Sequence, residues 1–311
     1  MKFIVTGACG FIGSHLTDRL LAAGHEVVGI DGFVPFYPRE MKERNIASAK
    51  TSPRFALHET LIETAENLPS LLDGADAIYH LAAQAGVRAS WGDDFRGYVD
   101  HNVLGTQKLL EAAVNAGVPR LIYASSSSVY GDVNELPLRE SMALSPVSPY
   151  GVTKLAAEHL VHLYCKSNDL SVSSLRFFTV YGPRQRPDMA FHRFLKAVRD
   201  SQPITLYGDG EQTRDFTFIS DLVDVLQPSV VQGKPGRVYN VGGGQRISVL
   251  KVLEAIGEVT GREVRIDRQA GQKGDMRDTL ADTALAVADL GFIPKTPLLA
   301  GLKAEWEWIC S

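Results

Sequence analysis

The sequence predicts an α/β protein: a doubly wound parallel sheet of the Rossmann type joined to a smaller α+β lobe. Three observations predict it. Short apolar segments alternate with helical patterns up to residue 176, a glycine-rich segment follows the first of them, and the rest of the chain is punctuated by glycine and proline. Strands that alternate with helices of this length form parallel sheets covered on both faces.

Each predicted strand is a short apolar segment bounded by polar or turn residues. The six predicted strands are Lys2–Thr6, Glu26–Ile30, Arg54–Leu57, Ala77–Leu81, Arg120–Ala124 and Val172–Arg176. The crossover helices are predicted at Phe11–Ala23, Phe95–Ala116 and Tyr150–Asn168. The second helix should end at Gly117, because a left-handed glycine cap followed by Pro119 is typical of a helix terminus.

The domain boundary is predicted where the alternation ends. Residues 1–176 form the large domain, and residues 177–311 form mainly the smaller lobe, with parts of 213–241 returning to the large sheet. A cleft between two lobes is the usual place for a ligand.

Composition excludes several classes of protein. The chain has 311 residues, 45% of them hydrophobic, which is enough for a substantial core. Its 32 Lys and Arg against 36 Asp and Glu give a net charge of −4, so no nucleic-acid partner is expected.

Cysteine usage and hydropathy bear on the compartment. Three widely spaced cysteines form neither a disulfide framework nor a metal-ligand pattern, which favours a reducing compartment and no bound metal. No apolar run reaches the ~18 residues of a membrane span, and the chain opens with a strand pattern instead of a charged leader. We therefore expect a cytoplasmic protein without a membrane partner.

The glycine-rich segment after the first strand indicates a dinucleotide site. Gly7, Gly10 and Gly13 permit a tight turn and close approach of a pyrophosphate, and the following helix starts at Phe11 and Ile12 with free N–H groups. An ordinary strand-turn-helix is the alternative.

The second strand supports the dinucleotide interpretation. Asp31, 18 residues after Gly13, can accept hydrogen bonds from ribose hydroxyls. Gly32 and Phe33 follow it instead of a basic residue, so NAD is favoured over NADP.

A tyrosine and a lysine four residues apart indicate acid–base chemistry. Tyr150 and Lys154 share one helix face, so the ammonium could lower the pKa of the phenol toward neutrality. A surface pair is the alternative. Ser126, Ser127 and Ser128 follow another strand, at the sheet edge where ligands bind, although a serine-rich turn would have the same composition.

These motifs together resemble the extended short-chain dehydrogenase/reductase family that modifies nucleotide sugars, also described as NAD-dependent epimerases and dehydratases. The resemblance covers essentially the whole chain. It is carried by the glycine loop, Tyr150/Lys154 and the segments Leu81–Ala83, His101–Val103, Ser126–Gly131, Arg176–Pro183 and Arg214–Phe216.

The resemblance implies roles for individual residues. The catalytic residues would be Ser126, Tyr150 and Lys154. NAD would be bound by Gly7, Gly10, Phe11, Ile12, Gly13, Asp31, Leu81, Ala82, Ala83, Asn102, Tyr150, Lys154 and Phe177. Residues 1–176 would be the NAD-binding domain and 177–311 mainly the nucleotide-sugar-binding lobe. The third strand leads into His58–Leu61, which lacks the Asp that relatives often place near the adenine.

Within the family, Tyr181–Ala190 is most similar to UDP-glucuronic acid 4-epimerases. Many hexose epimerases carry Asn where Thr179 stands, and the smaller hydroxyl leaves room for a C6 carboxylate. Arg186 offers a planar cation suited to that carboxylate, although it could instead face the pyrophosphate or solvent. Ser127 and Ser128 stand where dehydrating and decarboxylating relatives carry acidic residues, which disfavours those reactions.

The remaining expected substrate contacts hold the nucleotide and come from the smaller lobe and one loop of the large domain. They are Arg88, Thr205, Tyr207, Arg214 and Arg277, added to Ser126, Ser127, Ser128, Thr179 and Arg186.

The resemblance implies an NAD-dependent 4-epimerase of UDP-sugars, acting on UDP-glucuronate and UDP-galacturonate through a 4-keto intermediate. A UDP-glucose 4-epimerase, a UDP-glucuronate decarboxylase and a non-catalytic nucleotide-sugar sensor are the alternatives. The helices Phe95–Ala116 and Tyr150–Asn168 resemble those that form a four-helix dimer interface in relatives, so a homodimer is expected.

Overall fold

The computed structural model describes residues 1–133, 135–270 and 276–311. In these ranges the strands are β1 (Lys2–Thr6), β2 (Glu26–Asp31), β3 (Phe55–Glu59), β4 (Ala77–His80), β5 (Arg120–Ser126), β6 (Ser171–Phe177), β7 (Thr179–Tyr181), β8 (Ile204–Tyr207), β9 (Thr213–Phe218), β10 (Arg237–Val241), β11 (Arg246–Ser248) and β12 (Ile266–Gln269). The α-helices are α1 (Phe11–Ala22), α2 (Arg39–Asn45), α3 (Leu68–Leu72), α4 (Phe95–Tyr98), α5 (Gly105–Asn115), α6 (Pro149–Ser167), α7 (Ala190–Arg199), α8 (Ile219–Gln232), α9 (Val249–Thr260), α10 (Ala284–Leu290) and α11 (Leu298–Cys310).

Seven strands form one parallel sheet in the order β10-β6-β5-β4-β1-β2-β3. The chain builds outward from β1 to β3 and then crosses to β4, so the strand order reverses between β1 and β4. Ligands of such sheets bind outside the carboxyl ends of the strands at this reversal. The predicted fold class, a doubly wound parallel sheet, is confirmed.

The sheet is buried on both faces. Phe3 and Val5 of β1 pack into one apolar cluster with residues of α1 and α8, whereas Ile4 packs into a second cluster with residues of α5 and α6. Alternation of side chains along a strand places neighbouring residues on opposite faces, and helices cover both.

The predicted strands agree with the structure to within two residues at either end, and β1 has the predicted bounds. The predicted helix Phe95–Ala116 has an interruption: residues Val99–Leu104 form a π-helical turn between α4 and α5. Gly117 has φ +66°, as expected for its role as a left-handed cap. The π-helical turn contains Asn102, and such turns are frequent at functional sites.

The later part of the chain forms two smaller sheets and also contributes to the large one. Strands β11, β9 and β7 form one small sheet, and β12 pairs with β8 in parallel. Residues of α7, α9 and α11 form a third apolar cluster with residues of β7, β8, β9 and β11. β10 pairs with β6 as the seventh strand of the large sheet, and α8 packs on α1. In the described ranges, no helix combines the length and apolar character that a bilayer span requires.

Candidate active site

The glycine loop between β1 and α1 has the close contacts expected of a phosphate cradle. Gly7 has φ +69°, and a Cβ atom built on it would lie 2.9 Å from the backbone N of Ala82. A Cβ atom on Gly13 would lie 2.1 Å from the carbonyl oxygen of Gly7. Side chains are therefore excluded from both positions. Gly10 immediately precedes α1, so the N–H groups of the first helical turn face the loop without a capping side chain.

Asp31 lies at the end of β2, beside the glycine loop. Its carboxylate is buried and accepts hydrogen bonds from the backbone N–H of Cys9 at 3.0 Å and of Phe33 at 2.9 Å. The ammonium of Lys42, from α2, lies 3.6 Å from the carboxylate. The residues that directly follow Asp31 give no sign of this cation, because Lys42 is brought to Asp31 from α2. A ribose 2′-phosphate would still meet the Asp31 charge.

The segment after β4 lies against the loop. The backbone N–H groups of Leu81 and Ala82 donate to Thr6 Oγ1 at 3.2 and 3.1 Å, and Ala83 follows directly. Phe177 ends β6, two strands away from β4 in the same sheet. These predicted cofactor residues therefore share the carboxyl edge of the sheet with Gly7.

A buried histidine, which the sequence analysis did not single out, holds this edge together. His80 Nδ1 lies 2.8 Å from Thr6 Oγ1, and its Nε2 lies 2.9 Å from Thr106 Oγ1. Burial lowers the pKa of His80 to about 3, so the imidazole is neutral at physiological pH. In the sequence, His80 immediately precedes the predicted cofactor residue Leu81. No spacing rule, however, distinguishes it from an ordinary strand residue.

Asn102 connects the same edge to α6. Its Oδ1 accepts from the N–H of Gln84 at 2.7 Å, and its Nδ2 donates to the carbonyl of Gln84 at 2.9 Å and to Thr153 Oγ1 at 3.0 Å. Thr153 Oγ1 in turn donates to the carbonyl of Tyr150 at 2.8 Å. These bonds make Asn102 a residue that positions the loop and the helix; its expected contact with a cofactor stays a prediction.

The three predicted catalytic residues come from β5 and α6. Ser148 caps α6 by accepting from the N–H of Gly151 at 3.1 Å, which fixes the first helical turn and Tyr150 within it. The Ser126 side chain acts on Tyr150 by lowering the pKa of its hydroxyl. Lys154 is one helical turn further on and only 3% exposed.

The charge states at this centre differ from the sequence expectation. Burial raises the pKa of Tyr150, and the hydrogen bond from Ser126 and the charge of Arg186 oppose that rise. Lys154 was expected to lower this pKa, but in the structure its own pKa is lowered to about 7 by burial, with the Glu158 carboxylate acting in the opposite direction. Its ammonium lies 4.5 Å from the centre of the Tyr123 ring.

Ser127 and Ser128 form a short helical turn directly after β5. The N–H of Ser128 donates to Ser126 Oγ at 3.1 Å. A Cβ atom on Gly151 would lie 2.5 Å from the Ser128 carbonyl oxygen, so this turn packs tightly against the residue after Tyr150. The serine cluster is thus part of the same centre as the tyrosine.

Arg186 reaches this centre from the loop after β7. Its guanidinium forms a two-bond ion pair with Asp188, with Nε to Oδ1 at 3.0 Å and Nη2 to Oδ2 at 2.9 Å. It also lies 5.7 Å from the centre of the Phe36 ring. Thr179 begins β7, two residues after Phe177. Neither Asp188 nor Phe36 is among the predicted site residues. Asp188 is two residues from Arg186, whereas only the folded chain brings Phe36 to this loop.

The residues expected to hold the nucleotide form two groups. The Arg88 guanidinium lies 4.5 Å from the centre of the Tyr207 ring, and Thr205 is in the same strand, β8. Arg214 Nη1 donates to the carbonyl of Arg277 at 3.2 Å. Arg277 itself forms a two-bond ion pair with Asp209, both distances being 3.0 Å. This side of the site presents guanidinium groups, which are suited to a diphosphate.

Comparison with known proteins agrees with this geometry. Residues 3–242 match the model of the NAD dependent epimerase/dehydratase family. A Bacillus subtilis protein named "Uncharacterized UDP-glucose epimerase YtcB" is 45% identical, covering 100% of this chain and 98% of its own. A Rhizobium meliloti protein named "Probable UDP-glucuronate 4-epimerase" is 36% identical, covering 99% and 96%.

A solved structure is similar over the full length. The crystal structure of UDP-glucuronic acid 4-epimerase from Bacillus cereus, in complex with UDP-glucuronic acid and NAD, has a TM-score of 0.97 and 42% identity, covering 100% of this chain and 99% of that chain. With the fold and the glycine cradle, these matches show that the chain belongs to the NAD dependent epimerase/dehydratase family.

Proposed function

We propose that the chain is an NAD-dependent 4-epimerase that interconverts UDP-glucuronate and UDP-galacturonate through a 4-keto sugar. The observation that carries the proposal is the buried centre in which Ser126 and Arg186 act on the pKa of Tyr150 and the buried Lys154 lies one helical turn further along the same helix. The Bacillus cereus structure, a complex with UDP-glucuronic acid and NAD, supports the choice of substrate and cofactor.

The residues present fit NAD. The space that a Cβ atom would fill at Gly7 and Gly13 is left for a pyrophosphate, and Asp31 would accept hydrogen bonds from the adenosine ribose. Leu81, Ala82, Ala83 and Phe177 would line the nicotinamide side, with Tyr150 and Lys154 at its ribose. The chemistry that NAD supplies when bound is reversible hydride transfer at C4, which leaves no net oxidation.

Tyr150 acts as the acid–base group at the C4 oxygen. As a phenolate it takes the C4 hydroxyl proton and later returns it, while Ser126 donates a hydrogen bond to the same oxygen. Burial by itself keeps the phenol of Tyr150 protonated. Its ionisation therefore depends on Ser126, on Arg186 and on other positively charged groups bound or held in the site. Lys154, with a pKa lowered to about 7, is charged in a substantial fraction of molecules near neutral pH.

The C6 carboxylate creates a hazard, because a ketone at C4 is β to it and favours loss of CO2. Thr179, Ser127 and Ser128 offer hydroxyl donors to the carboxylate, and Arg186 offers a cation. Held in this way, the carboxylate is kept out of alignment for cleavage of the carbon–carbon bond. Arg88, Thr205, Tyr207, Arg214 and Arg277 hold the UDP moiety while the sugar turns between its two faces.

A product-resolved assay tests the function. Purified protein incubated with UDP-glucuronic acid should yield UDP-galacturonic acid as the main product, separated by chromatography and identified by NMR. A UDP-pentose as the main product would show a decarboxylase, and absence of turnover on any nucleotide sugar would favour a sensor.

A UDP-glucose 4-epimerase is the second candidate, favoured by the name of the 45% identical Bacillus subtilis relative. The ion pair with Asp188 also gives Arg186 a partner when the sugar carries no charge. Comparable kcat/KM on UDP-glucose, with indifference to substitution of Arg186, would support it.

We further propose a homodimer built on α4, α5 and α6. Large apolar side chains on or next to these helices are exposed: Trp91, Phe95, Val99, Leu104, Val152 and Leu163. A second copy would cover them in a four-helix arrangement. Analytical ultracentrifugation should give twice the chain mass, and Leu163→Glu should give a monomer.

We also propose that residues 1–176 bind NAD and residues 177–311 mainly bind the nucleotide sugar, with parts of 213–241 belonging to the large sheet.

A cytoplasmic location is proposed as well. The three free cysteines support it.

A further inference from the structure

Glu158 is a buried carboxylate that the proposed mechanism does not use. It is only 4% exposed and lies on α6, one helical turn after Lys154. Ser125 Oγ donates to its Oε2 at 2.5 Å, and Arg176 donates to both oxygens, from Nη2 at 2.5 Å and from Nε at 3.1 Å. A buried charge with this many donors is held in one orientation.

The partners of Glu158 lie next to the proposed site residues. Ser125 directly precedes Ser126 in β5, and Arg176 directly precedes Phe177 in β6. Ser125 and Arg176 are also paired in the register of the two strands. One carboxylate therefore links the ends of two strands to the helix that carries the proposed base.

Arg176 is itself held on its far side. Its Nη1 donates to the hydroxyl of Tyr130 at 2.8 Å, and that hydroxyl donates to Asn240 Oδ1 at 2.7 Å. All three side chains are at most 2% exposed. The network thus extends to β10, so Glu158 cannot shift without disturbing several buried hydrogen bonds.

We propose that Glu158 is a positioning residue: it fixes the position of Ser126 relative to Tyr150 and keeps a negative charge beside Lys154. The inference rests on the proposed function for the roles of these three residues. Its two parts have different consequences. The position of Ser126 depends on the hydrogen bonds of Glu158, whereas the effect on Lys154 depends on the charge of Glu158.

The charge matters because the surroundings of Lys154 are otherwise unfavourable to an ammonium. His80 from β4 is neutral, Tyr123 from β5 offers only its ring face, and Tyr150 lies on the same helix. Burial lowers the pKa of Lys154, and Glu158 opposes that effect. Without the Glu158 charge, the Arg176 cation would lack its partner and would add to the cost of charging Lys154.

The test uses Glu158→Gln, which keeps the size and one acceptor oxygen but removes the charge. On UDP-glucuronic acid we expect kcat to fall about 10- to 100-fold at pH 7.5, with KM changed by less than about threefold. The alkaline limb of the kcat profile should move to lower pH, because Lys154 loses its proton earlier. Glu111→Gln is the matched control. Glu111, in α5, also pairs with a side chain of α6, that of Tyr164, but this pair is exposed.

A second readout does not depend on turnover. NMR of protein labelled with ¹³C at lysine Cε should show the Lys154 signal, assigned by its loss in Lys154→Met, titrating at lower pH in Glu158→Gln than in the parent chain. Glu158→Asp keeps the charge and shortens the side chain, so it should restore the pH profile while kcat stays reduced. It also provides the test if Glu158→Gln does not fold.

Unchanged kcat, pH profile and lysine titration in Glu158→Gln, with a lower melting temperature alone, would overturn the inference and leave Glu158 a structural residue. If the parent chain itself does not turn over UDP-glucuronic acid, the proposed function fails, while the lysine titration still decides whether Glu158 controls the charge of Lys154.

Discussion

The two sides of the proposed site hold their charged groups differently. Around Tyr150, charged side chains are buried: Lys154 is 3% exposed and the Glu158–Arg176 pair lies in the interior. On the nucleotide side, the Arg277 and Asp209 side chains are 53% and 55% exposed. The protein sets the protonation of the first group, whereas solvent and ligand determine the state of the second.

The difference indicates that the two sides of the site have different roles. Buried networks keep the reacting groups in one geometry, which proton transfer requires. Exposed guanidinium–carboxylate pairs are weak and exchange readily, so an arginine such as Arg277 can leave Asp209 for a phosphate. Arg186 is intermediate, being 21% exposed in its pair with Asp188. We therefore expect substitutions on the buried side to change kcat or stability, and those on the exposed side to change KM.

The largest effect is expected for Tyr150→Phe. Removing the hydroxyl removes the proton acceptor at C4, so kcat should fall about 10³-fold or more while the circular dichroism spectrum stays the same. Tyr164→Phe is the control on the same helix, because that hydroxyl pairs with Glu111 near the surface. A rate for Tyr150→Phe within a few-fold of the parent would remove Tyr150 from the mechanism.

His80 should limit stability in acid. Its folded pKa is about 3 and its ordinary value 6.5, so the unfolded chain binds the extra proton between these pH values and stability falls as pH drops from 6.5 to 3. The cost at pH 4 should be about 3 kcal/mol. His80→Gln should flatten the dependence of the unfolding free energy on pH, measured by urea titration, and the exposed His159→Gln should not. Equal slopes in all three proteins would contradict a neutral, buried His80.

Arg186→Gln should sharpen the distinction between uronate and neutral sugars. Loss of a charged hydrogen bond to the C6 carboxylate should lower kcat/KM for UDP-glucuronic acid about 10- to 100-fold. Any activity on UDP-glucose should fall less, because that sugar loses only the effect of Arg186 on the pKa of Tyr150. Arg184→Gln is the control, since Arg184 pairs with Asp18 of α1. An equal loss on both sugars would assign Arg186 to the nucleotide or the fold.

The smallest effect is expected for Arg277→Gln on the exposed side. The KM for the UDP-sugar should rise about threefold to tenfold with kcat unchanged, because the contact is made equally in the ground and transition states. A fall in kcat at saturating substrate would place Arg277 nearer the reacting sugar than the comparison of the two sides implies.

Local patterns were enough to predict most of the large sheet. The glycine loop, the Tyr150–Lys154 spacing and the Gly117 cap all depend on residues within a few positions of one another, and the structure has the corresponding elements. β10 was not predicted as a separate strand, because its place beside β6 depends on pairing between residues 64 positions apart, such as Arg237 and Ser173. The periodicity of apolar residues in the sequence does not indicate which distant segments pair.

The same limit applies to the site. Lys42 reaches Asp31 and Phe36 reaches Arg186 only after folding, and no spacing rule connects them. The sequence predicts that Lys154 lowers the pKa of Tyr150, whereas in the structure burial raises that pKa and Ser126 and Arg186 oppose the rise. Spacing on a helix indicates that two side chains share a face, but not how much burial costs each charge.

The central claim is that Tyr150 starts a reversible oxidation at C4 in a closed site, without loss of the C6 carboxylate. The most direct measurement uses UDP-glucuronic acid carrying deuterium at C4, followed by NMR in ordinary water. We predict that UDP-galacturonic acid forms with the deuterium still at C4 and with no CO2 released. Appearance of the deuterium in water, or of a UDP-pentose as the main product, would contradict the account.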